Sequence, residues 1–129
     1  MRHSITLVFF LGLAACYPKS PDYDYSTPEG AVRSFLEAGR VGDSRSVRES
    51  VIAAERKLDL HIDYRDIGEY SLASNKRIDN QSAVVMLRTG TVQSPLACVK
   101  EQGAWRVSIR GSLACMKQMR QGPPAATPQ

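Results

Sequence analysis

Three cysteines, two histidines and a small cluster of aspartates and tyrosines hold most of the reactive chemistry this chain could offer. Cys16 directly follows Leu13-Ala14-Ala15, at the close of an apolar run that begins at Ile5. Cleavage after Ala15 would make its thiol the side chain of a new first residue, open to joining with lipid. Cys98 and Cys115 form an even pair in the carboxy-terminal third, and outside a reducing compartment such a pair forms a disulfide. His61 and Asp63 have the types of a metal-ligand or acid–base pair, but two residues without a third ligand define no centre. His3 leaves with the cleaved segment, so His61 reads as a lone surface histidine. Asp63, Tyr64, Asp66 and Tyr70 could line the rim of a pocket; as turn and rim residues they need no chemistry. No catalytic residue, metal or cofactor is expected.

The leader follows a known logic. Met1-Arg2-His3-Ser4 is basic, and Ile5 to Leu13 is apolar but for Thr6 and Gly12, too short to remain as a membrane span. Leu13, Ala14, Ala15 and Cys16 resemble, position by position, the lipobox of bacterial lipoproteins. The resemblance implies a cleaved signal peptide over 1–15 and diacylglycerol and palmitate chains on Cys16. Each buried methylene contributes about 0.8 kcal/mol, so several chains on one residue anchor stably. Tyr17 is not the aspartate that retains such proteins at the inner membrane. The periplasmic face of the outer membrane is the expected place in the cell envelope.

Composition adds limits. The 129 residues carry 17 Lys and Arg against 13 Asp and Glu, a formal charge of +4. The cations are scattered and no aromatic platform accompanies them, which argues against nucleic-acid binding. One small domain fits the length.

The elements must position whatever the domain does. Residues 16–26, with two prolines and no periodicity, read as a tether. Thr27, Pro28 and Glu29 open a helix as N-cap, first position and dipole-matched acid. Ala31, Val32, Phe35, Leu36 and Gly39 follow on one face, and Gly42-Asp43 ends it. Asp43 or Ser44 caps a second helix with Val47, Val51, Ile52, Ala54 and Leu58 inward. Arg45, Arg48, Glu49, Glu55 and Arg56 are left as a solvated charged face. Leu58 to Tyr64 suits a short third helix or an irregular turn.

From Ile67 the pattern changes to strands. Tyr70, Leu72, Ser74 and Ile78 sketch the first, before an Asp79-Asn80 turn. Ala83 to Leu87 reads as a central strand buried on both faces. Thr91 to Lys100 forms the third, with Pro95 implying a bulge or an edge. Gln102-Gly103 centres a turn into Trp105, Val107 and Ile109, which alternate with arginines and serine. Ser112 is expected to cap a short last helix stopped by Gly122-Pro123, leaving 122–129 as a tail. If Gln102-Gly103 is the turn centre, Cys98 lies opposite Val107. A reversal at Gly111 would then bring Cys115 back over that face. Such a bridge would contribute roughly 3 kcal/mol through chain entropy.

Together these give an α+β fold over 27–121, with amino-terminal helices on a curved antiparallel sheet of about four strands and a short carboxy-terminal helix. Thr27 to Leu36 with Gly42-Asp43, and Val99 to Val107 with its Gly turn before tryptophan, resemble the cystatin-like, nuclear-transport-factor-2-like superfamily. Small bacterial lipoproteins of that superfamily are the nearest in kind. The resemblance implies a cone-like roll, filled or open as a ligand pocket. The family's isomerases and dehydratases use polar cone residues that do not carry over: Phe35 stands on the first helix, and Ala83 to Leu87 contain no ionisable group. The expectation is a non-enzymatic envelope lipoprotein that binds a protein partner or supports envelope assembly, with a small-ligand binder as the alternative and an enzyme third.

Overall fold

The computed structural model of the chain describes residues 22–58 and 67–121. The predicted signal peptide, Cys16, the first part of the tether, His61, Asp63, Tyr64, Asp66 and residues 122–129 lie outside the described residues. The described residues form helices α1 (Pro28–Val41), α2 (Ser44–Glu49) and α3 (Ile109–Gln121), and a 3-10 turn at Ala53–Glu55. The strands are β1 (Ser71–Asp79), β2 (Ser82–Thr89), β3 (Val92–Glu101) and β4 (Ala104–Ser108). The strands pair in chain order as an antiparallel meander. The fold is α+β: amino-terminal helices, a four-stranded antiparallel sheet, then a carboxy-terminal helix.

Local signals set α1. The Thr27 hydroxyl accepts from Gly30 N at 3.0 Å, Pro28 stands in the first turn, and Gly42 stops the helix in the left-handed region at φ 74°. Its inner stripe, Ala31, Val32, Phe35, Leu36 and Ala38, is fully buried against Val85, Trp105 and Val107 of the sheet. Gly30 allows the incoming chain to cross close by; a Cβ there would meet Asp24 O at 2.6 Å. Asp43 caps α2, accepting from Ser46 N at 3.1 Å.

That second helix stops well short of the predicted length. Val51 instead makes a parallel bridge to Val107, with Val107 N donating to Ser50 O at 2.7 Å and Ile52 N to Val107 O at 3.0 Å. Covering the outer edge of β4 satisfies backbone groups that would otherwise face solvent. Another part of that edge is covered by Tyr25, whose carbonyl accepts from Trp105 N at 2.8 Å. The folded unit therefore begins before Thr27. Tyr23 donates to Asp43 at 3.0 Å, the Tyr25 and Ser50 hydroxyls share a hydrogen bond, and both tyrosines pack on the core. The last residues of the predicted tether belong to the domain.

The β3–β4 hairpin turns at Gln102 and Gly103, both at positive φ, and places Cys98 opposite Val107 as the sequence predicts. Pro95 sits in the part of β3 that β4 does not reach. Two strand expectations need correction. In β2, Ala83, Val85 and Leu87 are buried while Val84 and Met86 are half-buried, so the run alternates rather than being enclosed on both faces. And the last strand ends at Ser108 rather than continuing through Ile109. The Ser108 hydroxyl accepts from Gly111 N at 3.0 Å, which makes Ser108, not Ser112, the cap of α3. Ser112 lies inside the helix, buried, where its hydroxyl donates to Ser108 O and accepts from Ala97 N. Gly111 keeps this approach close, since a Cβ there would meet Ala97 Cβ at 3.0 Å.

Candidate functional site

The space between α1 and the sheet is filled. Phe35 and Leu36 are fully buried and Trp105 is 1 % exposed, with Arg77 reaching over the indole at 5.1 Å from the ring centroid. Met86 takes no part in this filling, because it lies on the other face of β2 from Val85.

An open depression of about 430 Å³ lies where α1 passes the start of β1. Helical periodicity puts Arg33, Glu37 and Arg40 on one side of α1, and Glu69, Tyr70, Ser71 and Leu72 complete the lining. Tyr70 donates to Glu37 Oε1 at 2.6 Å. Arg40 lies 5.2 Å from the Tyr70 ring centroid and donates to Gly68 O. Burial, then the hydrogen bond to Glu37, pushes the Tyr70 phenol up to about 12, so it stays protonated through the neutral range. Its proton is committed to Glu37 and Arg40 is held by the Gly68 carbonyl. Arg33, exposed on the same side of α1, is the group best placed to meet an anion.

Of the predicted rim residues, Tyr70 lines this depression, while Asp63, Tyr64 and Asp66 fall outside the described residues. The α1 residues escaped the sequence reading, although Arg33, Glu37 and Arg40 at i, i+4 and i+7 mark a second face of that helix. Among the described residues no group of three or more potential metal ligands gathers, and no helix is long and apolar enough to cross a membrane.

The expected Cys98–Cys115 bridge is not formed; both thiols are free. Strand alternation is the reason. Cys98 turns to the α1 side, with Sγ 3.8 Å from Pro28 O, whereas its neighbour Ala97 is the residue that meets Gly111 and Ser112 of α3. Cys115 therefore returns on the wrong side of β3. Burial, with a smaller contribution from Glu29, pushes the Cys98 thiol from 9.0 up to about 12. The folded chain then holds this proton more tightly than the unfolded chain, and its contribution to stability falls as pH rises from about 9 toward 12. In native alkylation at pH 8 followed by mass spectrometry, half-buried Cys115 should be labelled and Cys98 labelled only after unfolding. A peptide pair joined through both cysteines would overturn this.

A further buried acid was also missed. Glu55, predicted on a solvated face, is 2 % exposed. Its carboxylate accepts from the Ser108 hydroxyl at 3.1 Å and from Arg110 N at 2.9 Å, joining the 3-10 turn to the start of α3. This is a structural clamp rather than a catalytic acid, since both oxygens are occupied by groups of the fold.

The described residues form an α+β protein with a closely packed core and an open charged depression beside α1. Comparison with family models, with curated proteins and with solved structures gives no match.

Proposed function

We propose that this chain is an envelope lipoprotein, held by lipid on Cys16 at the periplasmic face of the outer membrane, whose domain binds a protein partner and performs no catalysis. The observation that carries the reading is Leu13-Ala14-Ala15-Cys16 at the end of a short apolar leader. The chain's resemblance to the cystatin-like, nuclear-transport-factor-2-like superfamily is part of this reading, and rests on Thr27 to Leu36 with Gly42-Asp43 and on Val99 to Val107. The filled interior favours a role for the outer surface over a pocket inside a cone. The depression at Tyr70 supports the small-ligand alternative less well, because Tyr70 and Arg40 are already bonded within the domain.

Cys16→Ser should move the protein from the salt-washed membrane pellet to the soluble fraction, with the domain's circular dichroism unchanged. Equal incorporation of labelled palmitate by the parent and by Cys16→Ser would refute lipid anchoring. Crosslinking of the anchored protein in its own cells should then give a discrete adduct with an envelope protein.

A further inference from the structure

Helix α3 contains three charged residues, Arg110, Lys117 and Arg120, and all are cationic. Relative to Leu113 they stand at i−3, i+4 and i+7, so the four share one stripe. The opposite side of the helix is the one occupied within the fold, through Ser112 against Ala97. On the outward stripe Leu113 is 59 % exposed. Met119, seven positions after Ser112 and so on that residue's side of the helix, is 52 % exposed near the helix end, and Met116 is half-buried; neither belongs to the outward stripe.

Two costs make this stripe informative. Like charges at helical spacing repel, and Arg110 in the first turn opposes the helix dipole. None of the three cations forms an ion pair among the described residues, where the ion pairs are Arg40–Glu37 and Arg45–Glu49. A stripe that exposes Leu113 among three unneutralised cations matches an interface with apolar depth beneath a layer of negative charge.

We infer that the outward stripe of α3 rests on an anionic lipid surface, with Leu113 entering the headgroup layer and Arg110, Lys117 and Arg120 pairing with lipid phosphates. The biological setting rests on the membrane-anchored reading above, and it adds an orientation: the domain lies on the bilayer through α3 instead of swinging freely on its tether. Charge complementarity calls for an anionic surface, and the exposed Leu113 among the cations favours lipid over an acidic protein surface because it requires an apolar layer as well.

The test uses the full chain carrying Cys16→Ser, so that no acyl chain contributes and failure of lipid anchoring does not enter. Binding is measured by co-sedimentation with phosphatidylglycerol–phosphatidylcholine vesicles and with phosphatidylcholine alone. Any contribution of the leader is common to every variant. The chain should prefer the anionic vesicles, with binding that weakens as salt is raised. Arg110→Gln, Lys117→Gln and Arg120→Gln together should weaken it roughly 100-fold, and Leu113→Ser should weaken it further. These positions are exposed, so circular dichroism should match the parent. Equal binding by parent and triple variant, or no preference for anionic vesicles, would overturn the inference and leave a protein surface as the partner of α3.

Discussion

Glu55→Ala is expected to destabilise the domain by about 3 kcal/mol, lowering the melting temperature by more than about 10 °C. The carboxylate lies in the interior and accepts from two donors, the Ser108 hydroxyl and the Arg110 amide. A hydrogen bond to a charged group is worth roughly 1.5–3 kcal/mol, and a buried donor left without a partner incurs its full desolvation cost. The position adds to this. Arg110 N belongs to the first turn of α3, where the helix dipole favours a negative charge. Alanine would release the start of α3 from the 3-10 turn, so amide exchange should rise across Ile109 to Cys115 before the sheet is affected. Glu55→Gln keeps one carbonyl acceptor and should lose about half as much. Urea unfolding followed by circular dichroism measures both. A loss under about 1 kcal/mol for alanine would show that water replaces the carboxylate.

The second large effect is at Trp105. Trp105→Ala should cost about 4 kcal/mol, within the range for removing a large aromatic from a packed core. Its indole is 1 % exposed and belongs to the cluster formed by α1, β2 and β4. Arg77, on the core-facing side of β1, stacks over the ring and would lose an interaction of about 0.5–1 kcal/mol. Trp105→Phe keeps an aromatic ring for Arg77 and part of the volume, and should cost about half as much. Because Trp105 is the sole tryptophan of the chain, the unfolding midpoint is read by circular dichroism rather than by fluorescence. Since a domain of this kind has only about 5–15 kcal/mol in total, the alanine variant should be partly unfolded at 37 °C. A loss below 2 kcal/mol would mean that the cavity collapses easily and that the core is less closely packed than the burial of Phe35, Leu36 and Val107 indicates.

The two residues also differ in how readable they were. Trp105 stands in a clean alternation behind a Gln102-Gly103 turn, and the structure returns that hairpin with the predicted register. The start and end of α1 were equally legible, because Thr27, Pro28 and Gly42 act on backbone within one helical turn of themselves. Glu55 gave no such warning. Its neighbours are charged, its spacing suits an exposed face, and its two donors lie more than fifty positions away. The same distance explains why α2 ends early: Val51 finds Val107 across the fold, and an edge pairing there outweighs further helical turns.

Read alone, the residues determined the class of the fold, the cap and stop of α1, and the turns of the meander. Each depends on chemistry within a few neighbours. Tertiary structure alone decided which face of β3 carries Cys98, that Tyr23 and Tyr25 belong to the domain, that Ser108 starts α3, and that Arg33, Glu37 and Arg40 meet Tyr70. Those outcomes hang on contacts between distant segments, where burial and backbone pairing compete across the whole chain and local preference is too weak to settle them.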